Sequence, residues 1–140
     1  MKKYIIINGP NLNLLGKREV EIYGENNFKD YLVRIKAKYP QIGIEYFQSN
    51  IEGEIINKIQ EVGYSHNGVI LNAGGYTHTS VAIRDAISTV EADVIEVHIS
   101  NIDAREDFRR TSIIGPVCIG NISGFGLHSY TLALEAFLKQ

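Results

Sequence analysis

Apolar and polar positions along the chain follow two patterns: short continuous apolar runs, and longer stretches that repeat every 3.6 residues. Lys3–Ile7 is a β-rich run ended by Asn8-Gly9-Pro10, since proline cannot donate to a sheet ladder. Asn27–Tyr39 has helical period, with Phe28, Tyr31, Leu32, Ile35 and Tyr39 on one face and Pro40 as its end. Ile42–Phe47 reads as a second strand. A second helix is expected over Ile51–Val62, with Ile55, Ile56, Ile59 and Val62 inward and Gly63 as its stop. Gly68–Leu71 is a third strand, and Thr77–Val90 a third helix with Val81, Ala86, Ile87 and Val90 apolar. Val94–Ile99 is a fourth strand, Ala104–Phe108 a short helical turn and Val117–Ile119 a short fifth strand. His128–Lys139 is the last helix, carrying Leu132, Ala133, Ala136 and Phe137.

Strands that alternate with helices imply right-handed βαβ units and a parallel sheet covered on both faces. The expected architecture is therefore α/β: a flavodoxin-like three-layer fold with a five-stranded parallel sheet in the order 2-1-3-4-5, one domain over residues 1–140. In such sheets ligands bind beyond the carboxyl ends of the strands, where the strand order switches. Three strand ends carry polar groups: Asn8 to Asn13, Asn72 to His78, and Glu96 to Asn101. The polar stretch Asn11–Asn26, punctuated by Gly16 and Gly24, reads as one long loop. Loops beyond about 12–15 residues are usually functional or disordered, and this one carries Asn11, Asn13, Arg18 and Tyr23. It is expected to be an active-site lid.

The net charge of −2 and the scattered Lys and Arg residues argue against a nucleic-acid surface. The opening Met1-Lys2-Lys3 and Tyr4–Ile7 mimic a signal peptide only as far as Asn8. A secretory core needs roughly 7–15 apolar residues, so the run is expected to be a strand. No stretch approaches the roughly 20 apolar residues of a membrane span. The single cysteine, Cys118, excludes an internal disulfide; it lies in the apolar run Pro116–Ile119 and reads as a small buried hydrophobe. A cytoplasmic location is the expectation.

His98 is the sharpest single residue. It ends an apolar strand two positions after Glu96, and residues i and i+2 share one face of a strand. Glu96 can therefore orient the imidazole or raise its basicity, which makes His98 an acid–base candidate. His78 and His98 lie on different elements, and no close histidine or cysteine pair accompanies them, so no metal is expected. Gly74-Gly75 is not a phosphate-loop motif, and the first strand is not followed by a dinucleotide fingerprint. Backbone amides there and at Ile99-Ser100 are still suited to a carboxylate.

A wider pattern completes the reading. Gly9-Pro10-Asn11-Leu12-Asn13-Leu14-Leu15-Gly16, Arg18-Glu19 and Ile22-Tyr23-Gly24 resemble the N-terminal signature of type II 3-dehydroquinate dehydratases. Gln48-Ser49-Asn50, Glu52-Gly53-Glu54, the run Tyr76 to Ala86, Glu96 to Asn101, Ala104-Arg105-Glu106, Phe108-Arg109 and Ser123 to Gly126 match as well, in order and across nearly the whole chain. Lys17, Val20, Ile51, Ala73, Gly75, Asp103 and Thr111 depart from the commoner choices. Val20 replaces a usual proline, so a less restricted lid is expected.

The resemblance implies anti elimination of water from 3-dehydroquinate through an enolate, giving 3-dehydroshikimate in the shikimate pathway, without metal or cofactor. It implies Tyr23 as the base, Arg18 as stabiliser of tyrosinate and developing charge, and Asn11 as the holder of an ordered water. His98, oriented by Glu96, is the acid. Asn72, the Ile99 and Ser100 amides and the Ser100 hydroxyl take the carboxylate; His78, Arg109 and Asp85 take the ring hydroxyls. By themselves Arg18 and Asp85 read as solvated charges. The resemblance also implies that Asp85 comes from a neighbouring subunit, in trimers assembled into a homo-dodecamer. Two rivals are weaker. A flavin-binding or phospho-acceptor domain lacks its phosphate loop or its strand-end aspartate, and a Schiff-base dehydratase lacks a lysine at any strand end.

Overall fold

A computed structural model describes residues 1–15 and 27–140. Arg18, Tyr23 and most of the expected 11–26 lid lie outside the described residues; of the rest, Leu12–Leu14 form one 3-10 turn. Strands β1 (Lys3–Asn8), β2 (Gly43–Gln48), β3 (Gly68–Asn72), β4 (Asp93–His98) and β5 (Gly120–Ser123) make one parallel sheet, ordered β2-β1-β3-β4-β5. This is the order that the alternating pattern predicts. Helices α1 (Phe28–Lys38), α2 (Glu52–Val62), α3 (Val81–Thr89) and α4 (His128–Leu138) cover it. None of the helices in the described residues is long and apolar enough to cross a membrane.

β1 is buried from Tyr4 to Asn8, as expected for a central strand covered on both sides. Its alternation divides the core in two. Tyr4 and Ile6 join Ile70, Ile95 and Val97 beneath α1 and α4, with Ile35, Tyr130 and Leu134. Ile5 and Ile7 join Val69, Leu71 and Val94 beneath α2 and α3, with Ile55, Ile59, Ile83 and Ile87. Each fully buried aliphatic side chain contributes about 1.5–3 kcal/mol of transfer free energy. α1 begins where Asn27 accepts the Asp30 amide at 2.9 Å, a cap that fixes the first turn.

The structure corrects three local expectations. The helix expected over Thr77–Val90 is split: Gly74–His78 is a 3-10 turn, and α3 starts at Val81 because the Ser80 hydroxyl caps the Ile83 amide at 2.9 Å. The later start turns Val81 to solvent and buries Ile83. The fifth strand is not Val117–Ile119. Pro116 opens a 3-10 turn over Gly115–Val117, and the strand follows at Gly120–Ser123. The turn expected over Ala104–Phe108 resolves into two 3-10 turns, Ile102–Ala104 and Asp107–Arg110. Gly63 ends α2, as expected, with a φ of −62°. Glycine is required there for space, since a Cβ would lie 2.4 Å from Val90 Cβ. In α4, Ala136 faces solvent while Tyr130 and Leu134 enter the core.

Candidate active site

Parallel register aligns the strand ends: Asn8 sits opposite both Gln48 and Asn72, and His98 opposite Ser123. Beyond that edge lies a cavity of about 300 Å³. Its lining includes Asn11, Asn72, His78, His98, Ile99, Ser100 and Arg109, all named from the sequence. Glu96 lies just behind, bonded to His98. Asp85 is exposed on α3 and is not among the described residues of the lining. One chain thus gathers every described candidate except Asp85.

The two histidines are held by different means. His98 Nε2 lies 2.5 Å from Glu96 Oε2, with both side chains buried. Burial pushes the Glu96 carboxyl up, but the hydrogen bond and field of His98, the Ser112 hydroxyl and the His78 ring outweigh it, leaving the carboxyl below its ordinary range. Glu96 is therefore the acceptor, and His98 donates from Nε2. His78 donates from Nδ1 to the Thr111 carbonyl at 2.8 Å, which leaves Nε2 as the acceptor of the neutral ring. The two rings lie nearly parallel, with centroids 6.3 Å apart.

A neutral network fixes Asn72. Its Oδ1 accepts the Gly74 amide at 3.1 Å, and its Nδ2 donates to the Tyr130 hydroxyl at 2.9 Å. Tyr130 in turn donates to Asn8 Oδ1 at 2.7 Å. Burial drives the Tyr130 phenol well above its usual range, so it stays neutral. The amide of Asn72 cannot flip without losing both partners, and one N–H remains for a ligand. Asn11 has a left-handed φ of 71°, a conformation that asparagine tolerates, and Asn50 Oδ1 accepts its amide at 2.9 Å.

Arg105 and Glu106 also line the cavity. Both belong to the matched string, in which the resemblance implies no role for them. Arg109 bonds Glu106 at 3.0 Å and Arg105 approaches it at 3.8 Å; Arg109 chiefly holds the exposed Glu106 carboxyl below its usual value. Two arginines and two imidazoles therefore face a space that suits a small anionic polyol. Among the described residues no group of three or more His, Cys, Asp or Glu side chains could hold a metal ion. Cys118 is half-buried; burial and the charge of Glu96 push its thiol up to about 12, so it stays protonated.

Sequence and structural relatives point to one family. The 3-dehydroquinate dehydratase of Caldicellulosiruptor bescii is 55% identical over 139 residues, covering 97% of this chain and 96% of the relative. That of Clostridium perfringens is 51% identical over 140 residues, covering 98% and 96%. The crystal structure of a type II dehydroquinase from Butyrivibrio crossotus superposes with a TM-score of 0.91 at 48% identity, covering 98% of this chain and 97% of that one. The model of the dehydroquinase class II family matches residues 2–138, and the chain belongs to that family.

Proposed function

We propose that this chain eliminates water from 3-dehydroquinate to give 3-dehydroshikimate, by anti elimination through an enolate. The family is one of hydro-lyases, and its named relatives are 3-dehydroquinate dehydratases. The observation that carries the reading is a buried carboxylate–imidazole pair, Glu96–His98, opening onto the cavity lined by Asn72, Ser100, His78 and Arg109. We assign the step to the shikimate pathway, in the cytoplasm, with neither metal nor cofactor.

In this reading Tyr23 takes the proton from the carbon beside the ketone, and the electron pair moves onto the ketone oxygen. A tyrosine is a weak base near neutral pH, with a reference value near ~10, so a cation must stabilise the tyrosinate; that is the part of Arg18. Asn11 holds the water that hydrogen-bonds the enolate oxygen. The enolate then collapses, the carbon–oxygen bond breaks, and His98 gives its proton to the departing hydroxide. Asn72, the Ile99 and Ser100 amides and the Ser100 hydroxyl bind the carboxylate. His78 and Arg109 bind ring hydroxyls, joined by Asp85 of a neighbouring subunit in a dodecamer of trimers. The exposure of Asp85 supports that last part, because within one chain it stands outside the cavity lining.

Purified protein mixed with 3-dehydroquinate is expected to develop the absorbance of a conjugated enone; no absorbance with authentic substrate removes the reading. The shared site has its own test. Inactive Tyr23→Phe chains mixed with inactive Asp85→Ala chains regain part of the activity after subunit exchange. Exchange without recovery removes Asp85 from a shared site.

A further inference from the structure

One group at the carboxyl edge faces Glu96 and has no part in the proposed reaction. The Ser112 hydroxyl donates to Glu96 Oε1 at 2.7 Å, while Glu96 Oε2 accepts from His98 at 2.5 Å. Ser112 Oγ itself accepts the Gly115 amide at 2.9 Å. The fit is tight: a Cβ at Gly115 would lie 3.0 Å from both Glu96 Oε1 and Ser112 Oγ. The segment is pinned from other elements. The Ile113 amide donates to the Thr77 carbonyl at 2.8 Å, Arg84 donates to the Ile113 carbonyl at 3.1 Å, and the Thr111 carbonyl takes His78. The hydroxyl is therefore delivered to a fixed point.

We propose that Ser112 is a positioning residue for the proton donor: it locks Glu96 as an anion in one orientation, so that Glu96 holds the His98 imidazolium by Nε2–H and leaves Nδ1–H to be given to the departing hydroxide. A buried carboxylate with one oxygen unpartnered is costly and tends to take up a proton. A protonated Glu96 would donate to Nε2 and offer the ring no negative charge, leaving a neutral imidazole that is a far weaker acid. With Oε1 already satisfied by Ser112, the charge on Oε2 faces His98 alone. The groups that face Glu96 are His98 on its own strand, His78 from the turn after β3, and Ser112 and Cys118 from the segment after β4. Cys118, a neutral thiol, adds no charge.

This rests on the reading of His98 as the acid, and the experiment separates the two. Ser112→Ala, Ser112→Cys, Ser112→Thr and His98→Ala proteins are assayed with 3-dehydroquinate across pH, and the imidazole nitrogen shifts of His98 are recorded in the first three and the wild type. Losing one hydrogen bond to a charged group is worth roughly tenfold or more. Ser112→Ala is therefore expected to lower kcat about tenfold with little change in KM. Its low-pH limb of kcat moves upward, because Glu96 then gains its proton sooner. Ser112→Cys, a weaker donor of similar size, falls between, and Ser112→Thr restores the wild-type profile. In the wild type the His98 Nε2 shift is that of a protonated nitrogen; in Ser112→Ala it moves towards that of an unprotonated one. An unmoved limb in Ser112→Ala, or a Thr variant as impaired as Ala, overturns the proposal. Wild-type turnover in His98→Ala sinks the acid reading instead, and the nitrogen shifts then decide the part of Ser112 by themselves.

Discussion

The two faces of the sheet reach the cavity with different chemistry. On the face covered by α2 and α3 lies a charged relay: the Glu96 carboxylate and His98 imidazole at the end of β4, with Ser112 from the segment that follows. On the face covered by α1 and α4 lies a neutral one: Asn8 and the Asn72 amide at the ends of β1 and β3, joined by the Tyr130 phenol from α4. The difference separates two tasks. An ionisable relay can move a proton but answers to pH. A network of amides and a phenol that burial keeps neutral fixes donor directions at any working pH. A site that must both hold an anion and protonate a leaving group gains by keeping these tasks on opposite sides of one sheet.

The largest effect is expected from cutting the charged relay at its tip. His98→Ala removes the proposed acid, and general acid catalysis is typically worth 10²–10⁴-fold, so kcat is expected to fall by roughly that factor. Substrate binding, measured by calorimetry or from KM, should survive better than in Asn72→Ala. If His98→Ala loses affinity while kcat holds, both relays serve binding and the contrast between the faces disappears.

Much of this arrangement is legible in the sequence, for identifiable reasons. β1 and β4 are continuous apolar runs whose period of two gives away both the sheet and the pairing of Glu96 with His98. The cap of α3 is less legible, because Ser80 follows residues that themselves fit a helical repeat. β5 is hidden because Gly120-Asn121-Ile122-Ser123 has the composition of a turn, and only its partner β4 makes it a strand. The same limit conceals the relays. Ser112 meets Glu96 across 16 positions and Tyr130 meets Asn72 across 58, so no local pattern joins them. A tyrosine in an apolar helix still gives a hint, since a buried phenol needs a partner. Asp85 stands apart within one chain, and only the family resemblance assigns it a place.

The second expected effect lies on the neutral side. Tyr130→Phe keeps the ring in the core but leaves Asn8 Oδ1 without a donor and Asn72 Nδ2 without an acceptor. An unsatisfied buried polar group costs about 1–3 kcal/mol, so denaturant unfolding should show a loss of that order. KM should rise, because the freed amide of Asn72 can turn, while the pH profile of kcat stays in place. A shifted pH profile in Tyr130→Phe would show that the two relays are coupled.

The smallest effect is a dependence of stability on pH, and it should belong to the charged face alone. Glu96 has a folded-state value below its reference of 4.5. A group depressed in this way binds fewer protons in the folded state than in the unfolded one. Its stabilisation is therefore complete above the unfolded value and is lost as pH falls through the folded one. Glu96→Gln keeps the shape of the side chain and removes the titration. At pH 7 the wild type should be the more stable of the two, because the glutamine offers His98 and Ser112 no negative charge. That gap should narrow as pH drops from about 4.5 through the lower folded value. Thermal melts of both proteins over this range give the measurement, with Tyr130→Phe as the companion from the other face. Its deficit should stay constant over the same range, since a neutral network has no proton to gain. A Glu96→Gln gap that stays flat, or a Tyr130→Phe gap that closes on acidification, would place the pH-sensitive relay on the wrong face of the sheet.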